Sequence, residues 1–170
     1  MANTYVLIST VTVGSGGSAT ITFASIPATY TDLILKLSVR NTSTSGGNNL
    51  AKLNSLTSGY TDNYAQGDGA SMASGSNLST TTMVAGENNL SNTTAFIFTS
   101  VDMYIPNYAG SNNKISNMES TTENNAQTAY TTMQVSLSSN SAAITDIELT
   151  PSANSFAEFS SASLYGISNT

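Results

Sequence analysis

The most regular alternation of apolar and polar residues runs through residues 30–40, YTDLILKLSVR. Its apolar positions recur at every second residue: Leu33, Leu35, Leu37 and Val39. Polar side chains lie between them at Asp32, Lys36, Ser38 and Arg40, with Ile34 as the one apolar exception. A period of two is typical of a strand with one face in the core and the other in solvent. We therefore predict a central strand here, with its leucine face in the middle of the core.

The same alternation predicts further strands, separated by turns rich in Gly, Asn, Ser and Pro. They cover residues 5–13, 18–23, 50–54, 80–85, 94–105, 114–121, 130–137, 145–149 and 159–167. The first two are expected to form a hairpin closed by the glycine-rich turn at 14–17. No segment has a convincing helical period. The sequence thus predicts a single all-β domain over residues 1–170, an antiparallel two-sheet β-sandwich of jelly-roll type with about 8–10 strands.

The predicted core consists of the apolar positions on one face of each longer strand. We assign to it Leu33, Leu35, Leu37, Val39, Ile97, Val101, Met103, Val135, Leu137, Ile147 and Leu149.

Residues 55–79 lack this alternation and contain few large apolar side chains. We predict a long loop here, because its side chains bury too little apolar surface to offset about 1–2 kcal/mol of backbone ordering per residue. Such a loop is expected to become ordered mainly by contact with another chain. The candidate partner-contact residues are Tyr60, Asp62, Tyr64, Asp68 and Met72.

Composition narrows the possible functions. Ser, Thr and Asn supply 72 of the 170 residues, whereas only 8% are charged, and the net charge is −6 with four basic residues. Binding of nucleic acid or of an anionic membrane surface is therefore not expected, because both need clustered Lys and Arg. The absence of Cys and His excludes disulfides, thiolate metal sites and His-dependent nucleophilic catalysis. The N-terminal MANTYVLIST has neither a basic segment nor a long apolar run, so a signal peptide is not expected.

Three candidate chemistries remain, each with a plainer explanation. Asp62 and Asp68 offer oxygen ligands for Ca²⁺, but their spacing fits no EF-hand loop, and Asp is common in turns. Tyr60 and Tyr64 are candidates for a sugar-stacking platform, or for anchors that hold a loop to the sheet or to a neighbouring subunit. The carboxylate pairs nearest in sequence, which glycoside hydrolysis would need, are Glu119 with Glu123 and Asp146 with Glu148. Asp146 and Glu148 lie on the solvent face of an alternating strand, where ordinary surface acids occur. We therefore expect no catalytic site, no metal and no cofactor.

The two ends of the chain carry a recognisable pattern. Residues 21–41 read ITFASIPATYTDLILKLSVRN, and residues 144–167 read ITDIELTPSANSFAEFSSASLYGI. The pattern I-x-F-x-x-I-P-x-x-Y-x-D-L, a variable middle and a final S-L-Y-G-I resemble a family of small virion proteins of tailed bacteriophages. The match covers about a quarter of the chain, and the middle, mostly Ser, Thr and Asn, departs from the family's aromatic and glycine-rich segment.

This resemblance implies a non-enzymatic β-sandwich that decorates and stabilises the capsid. Its expected partner is the major capsid protein, its expected state a homotrimer, and its expected location the outer capsid surface after synthesis in the bacterial host cytoplasm. The alternative that the resemblance leaves open is a glycan- or receptor-binding domain of a tail fibre.

Overall fold

The computed structural model describes residues 4–45, 47–123 and 129–168. This part of the chain contains strands and turns but no helix. Its twelve strands are β1 (Tyr5–Thr12), β2 (Ile21–Ala24), β3 (Asp32–Val39), β4 (Asn48–Leu53), β5 (Tyr60–Gly67), β6 (Met72–Thr80), β7 (Met83–Glu87), β8 (Thr99–Ile105), β9 (Lys114–Glu123), β10 (Ala129–Ser138), β11 (Asp146–Pro151) and β12 (Ser161–Ile167).

The strands form two antiparallel sheets of unequal size. The larger sheet has eight strands in the order β1-β12-β3-β8-β9-β10-β5-β6, and the smaller has four in the order β2-β11-β4-β7. The prediction of an all-β, two-sheet antiparallel fold is confirmed, although the strands number twelve rather than eight to ten. The division into eight and four strands does not confirm the jelly-roll topology.

The core lies where the smaller sheet covers the middle of the larger one. The alternation in β3 places Leu33, Leu35, Leu37 and Val39 in this core, each at most 4% exposed. The predicted core positions Val101, Met103, Ile147 and Leu149 are also buried. Strand β3 lies between β12 and β8, so the prediction of an interior strand is confirmed.

The predicted hairpin between residues 5–13 and 18–23 is wrong. Strand β1 pairs with β12 in the larger sheet, whereas β2 pairs with β11 in the smaller one. The glycine-rich turn thus carries the chain from one sheet to the other. The strand predicted at 94–105 begins only at Thr99, and Phe96 before it has a φ of 64° and is 78% exposed.

The prediction of a long loop over residues 55–79 is also wrong. Strands β5 and β6 form a hairpin within the larger sheet, and β5 pairs along its length with β10. The backbone of this segment is therefore ordered by hydrogen bonds within its own chain, without another subunit. The inward positions of β5 are Tyr60, Asp62, Tyr64 and Gln66, and the absence of aliphatic residues among them explains why the sequence pattern missed the strand.

Strands β9 and β10 have the reverse of the usual orientation. Their inward side chains are mostly polar and buried, whereas apolar ones point outward: Ile115 is 49%, Met133 61% and Val135 53% exposed. The assignment of Val135 to the core is therefore wrong, and Ile97 and Leu137 are only partly buried. Alternation defines the two faces of a strand but not which of them is covered.

Two charged residues expected in solvent are buried instead. The Asp32 carboxylate accepts hydrogen bonds from the Tyr104 hydroxyl and the Asn107 backbone N–H, each at 2.8 Å. Arg40 is only 8% exposed, and its guanidinium donates to backbone carbonyls between β7 and β8. Both charges therefore hold loops in place.

The two terminal segments that carry the sequence pattern lie side by side. Strand β12 pairs with β3, so that Gly166 faces Leu33. A Cβ atom on Gly166 would lie 2.3 Å from the Tyr30 ring, which therefore packs directly against the glycine backbone. The tyrosine of the first segment and the glycine of SLYGI thus form one contact in the fold.

Candidate functional site

A polar, partly enclosed space lies beside β7, between side chains of β4, β5, β6, β7 and β10. Two adjoining cavities, of about 320 and 350 Å³, share the residues Asn48, Gln66 and Glu87. We call this space the Glu87 cleft. The first cavity is its first lobe, which is also lined by Tyr64, Asn77, Thr132 and Gln134. The second lobe is lined by Asn88 and Asn89 among others. Each lobe is within the size range of small-molecule sites.

A bulge at the end of β7 brings Glu87 into the cleft. The register between β4 and β7 shifts between Asn48 and Leu50, and Gly86 has a φ of 100°. A Cβ atom on Gly86 would lie 2.7 Å from the Val101 side chain, so only glycine fits this close approach. Bulges of this kind commonly re-aim a side chain beside a functional site.

The floor of the first lobe consists of inward residues of β10. Thr132 and Gln134 are each only 5% exposed. The Gln134 amide donates to the Val84 carbonyl and the Ser136 hydroxyl, each at 3.3 Å. The buried Thr132 Oγ1 has no hydrogen-bond partner of acceptable geometry. A buried hydroxyl without a partner is uncommon, because losing its hydrogen bonds to water costs free energy.

Two carboxyl groups lie in or beneath the cleft. Burial raises the pKa of Glu87, an effect that the nearby Thr132 hydroxyl partly offsets. The Gln66 amide also donates to Glu87 Oε1. Burial likewise raises the pKa of Asp62, which is 1% exposed. Its Oδ1 accepts from the Ser136 hydroxyl, and its Oδ2 has no partner.

The structure separates the residues predicted to contact a partner. Tyr60 is fully buried, and its hydroxyl accepts from the Leu53 backbone N–H at 2.9 Å, which ties β5 to β4. Asp62 is also buried. Neither side chain reaches the surface, so their assignment as partner contacts or, for Tyr60, as part of a sugar platform is wrong. Tyr64 is half-buried and lines the Glu87 cleft.

The remaining two predicted residues lie near the β5–β6 turn. Asp68 accepts from the backbone N–H groups of Ser71 and Ala70, at 2.6 and 2.8 Å, and these bonds lower the pKa of its carboxyl. Asp68 thus shapes a turn, and six residues of extended strand, about 20 Å, separate it from Asp62. The two do not form a shared Ca²⁺ site. Met72 is 74% exposed and stays a predicted partner contact.

The other acids form no cluster. Glu148 pairs with Lys52 at 3.4 Å, and Glu119 is exposed on the outer face of the larger sheet. Within the described ranges, no group of three or more metal-ligating side chains occurs. Among the same residues, no helix is long and apolar enough to cross a membrane.

A second candidate surface is the outer face of β9 and β10. Ile115, Met133 and Val135 are exposed on this face, whereas the side chains on the opposite face of the same strands are buried and mostly polar. We call these three residues the outward apolar patch. Exposed apolar side chains grouped on a sheet face are a candidate surface for contact with another protein.

Sequence reasoning missed Glu87, Gln66, Thr132 and Gln134, because amides and hydroxyls occur throughout this chain. One usable signal existed, the glycine before Glu87, since an isolated glycine at a strand end is typical of a bulge. Comparison with family models, with curated proteins and with solved structures found no match to this chain.

Proposed function

We propose that the protein is a non-enzymatic structural protein of a tailed-bacteriophage particle, which binds the outer capsid surface and stabilises it. The observation that carries this proposal is the reversed orientation of β9 and β10. Their apolar side chains face solvent while polar ones fill the interior. Exposed apolar side chains do not stabilise an isolated subunit, but they contribute hydrophobic free energy once another protein covers the patch.

The terminal segments support the proposal from the sequence side. The pattern resembles that of small phage virion proteins, and its Tyr30 and Gly166 meet in the fold. The surface supports it as well, because hydroxyl and amide side chains suit extensive hydrogen-bonded contacts between subunits.

The proposed assembly is a homotrimer whose subunits cover one another's outward apolar patch and which contacts the major capsid protein. Met72 and Tyr64 remain candidates for that contact. The protein would be made in the host cytoplasm and end on the outer surface of the particle.

The test is the stability of particles assembled with and without this protein. Particles that lack it should lose genome at a lower temperature, and addition of the wild-type protein should restore their resistance. The Val135→Glu variant should bind less and restore less, because a carboxylate replaces an exposed apolar side chain in the patch. Thr12→Glu adds the same charge at an exposed position of β1, opposite Ser161, and should restore resistance fully. Equal stability with and without the protein would remove the capsid-stabilising function.

The second candidate is a glycan- or receptor-binding domain of a tail fibre. The Glu87 cleft favours it, because the cleft is polar, partly enclosed and lined by a tyrosine. Adsorption assays separate the two candidates, since soluble fibre domain blocks attachment of the particle to its host, whereas soluble decoration protein does not.

A further inference from the structure

We propose that the Glu87 cleft is a binding site for a neutral saccharide, with Thr132 and Gln134 at its floor and Tyr64 at its side. The proposal does not depend on the location of the protein in the particle, because a decoration protein and a fibre domain can each carry such a site.

The chemistry of the lining selects a ligand rich in hydroxyl groups. Amide side chains at Asn48, Asn77 and Gln66 supply both donors and acceptors around the first lobe. Sugar hydroxyls also donate and accept, so they can satisfy such groups without a charge on the ligand. Asn48 and Asn77 are exposed at the rim, whereas Thr132 and Gln134 are buried at the floor, so the lobe is open to solvent on one side.

The buried Thr132 hydroxyl, which lies near the Glu87 carboxyl but makes no well-aligned hydrogen bond to it, is further evidence for a ligand. Its strand neighbours at Gln134 and Ser136 are joined by hydrogen bonds, but Thr132 Oγ1 lies against the lobe without one. Two further buried atoms without partners, Asn88 Oδ1 and Asn89 Nδ2, belong to residues that line the second lobe. Both lobes therefore contain buried polar groups that a bound molecule or water must satisfy.

Charge argues against an anionic ligand. The lining of the first lobe contains a carboxyl group and no basic residue. All four basic side chains of the chain are engaged elsewhere: Lys36 pairs with Asp102, Lys52 pairs with Glu148, Lys114 donates to the Gly110 carbonyl, and Arg40 holds the segment at 91–97. Sialylated or phosphorylated sugars would therefore meet Glu87 without a compensating cation.

Tyr64 supplies the aromatic surface that saccharides commonly pack against. Its ring lies over Gly75 of β6, where a Cβ atom would come within 2.8 Å of the tyrosine hydroxyl. Glycine at this position thus allows the ring to lie flat against β6 at the side of the lobe. An aromatic ring with a polar tip suits a ligand that has both C–H and O–H surfaces.

A glycan array that includes neutral and anionic saccharides tests the proposal, followed by calorimetric titration of the strongest neutral hit. We expect saturable binding of at least one neutral saccharide and none of its sialylated counterpart. Thr132→Val keeps the side-chain shape, removes the hydroxyl, and should weaken binding about tenfold, the loss expected for one buried hydrogen bond. Tyr64→Ala should weaken it at least as much.

The matched control is Thr131→Val, the same substitution one residue away on the exposed outer face. It should leave binding unchanged. The proposal is overturned if no neutral saccharide binds, if anionic saccharides bind best, or if Thr132→Val and Tyr64→Ala, shown by thermal denaturation to be folded, bind as the wild type does. Loss of capsid stabilisation in the particle assay has no bearing on these outcomes, so the two proposals fail separately.

Discussion

Replacement of Arg40 by methionine should destabilise the protein far more than loss of any exposed cation. The Arg40 Nη1 donates to the carbonyls of Thr94 and Ile97 at 2.6 and 3.2 Å. Its Nη2 donates to the carbonyls of Ser91 and Thr93 at 3.2 and 3.0 Å. These four carbonyls are spread over residues 91–97, so Arg40 joins several turns of the segment between β7 and β8, in addition to the backbone bond from the Ser91 N–H to the Ser43 carbonyl.

The magnitude follows from these contacts. A hydrogen bond from a charged donor contributes about 1.5–3 kcal/mol. Four carbonyls share two nitrogens, so we count two independent bonds and expect a loss of about 3–6 kcal/mol in the free energy of unfolding. For a domain of this size, this corresponds to a fall in Tm of at least about 6 °C.

The assay is urea denaturation followed by tyrosine fluorescence, with Lys36→Met as the matched control. Lys36 lies on β3, four residues before Arg40, but its ion pair with Asp102 is exposed, with 51% and 56% of the two side chains accessible. Exposed pairs of this kind contribute less than about 1 kcal/mol. If Arg40→Met cost no more than Lys36→Met, the guanidinium would not hold the segment, and the reasoning would be refuted.

Three further predictions concern burial, packing and the outward patch. Burial raises the pKa of Asp62 in the folded state above its ordinary value of 3.8, so the unfolded chain ionises first and the free energy of unfolding falls as pH rises above 3.8. Asp62→Asn removes this loss and should therefore stabilise the protein more near pH 7 than near pH 4 in parallel urea titrations; equal effects at the two pH values would exclude this ionisation cost. Gly166→Ala should lower the free energy of unfolding by about 1–3 kcal/mol, because the new methyl group overlaps the Tyr30 ring. An unchanged Tm in calorimetry would contradict this packing. If subunits associate through the outward apolar patch as proposed, Val135→Glu should reduce self-association in sedimentation velocity without lowering Tm, since Val135 is 53% exposed in the subunit. An unchanged sedimentation profile would contradict an association through this patch.

Sequence reasoning succeeded where apolar residues alternate and face inward, as in β3. It failed in β10, where the alternation of Met133 and Val135 with Gln134 predicted the strand but placed the wrong face in the core. The inward face there is polar because it meets Asp62 and the Glu87 cleft, and these contacts come from strands distant in sequence. An alternation of period two along one strand does not predict contacts with strands that are distant in sequence.

The candidate site was predictable only in part. Tyr64 was singled out for its possible contact with a sugar, and it lines the cleft. Tyr60, four residues earlier, was expected to share that role but is buried in the core, where its hydroxyl bonds to Leu53. Glu87 lies beyond the strand predicted at 80–85. The bulge that directs it into the cleft depends on the close approach of Gly86 to Val101, which the sequence does not show.

Cryo-electron microscopy of the intact particle tests the central claim most directly. The proposal predicts density for a two-sheet sandwich on the outer capsid surface, in groups of three, with the outer faces of β9 and β10 covered by neighbouring protein. Density confined to the tail fibres, or a capsid-bound subunit with that face open to solvent, would contradict it.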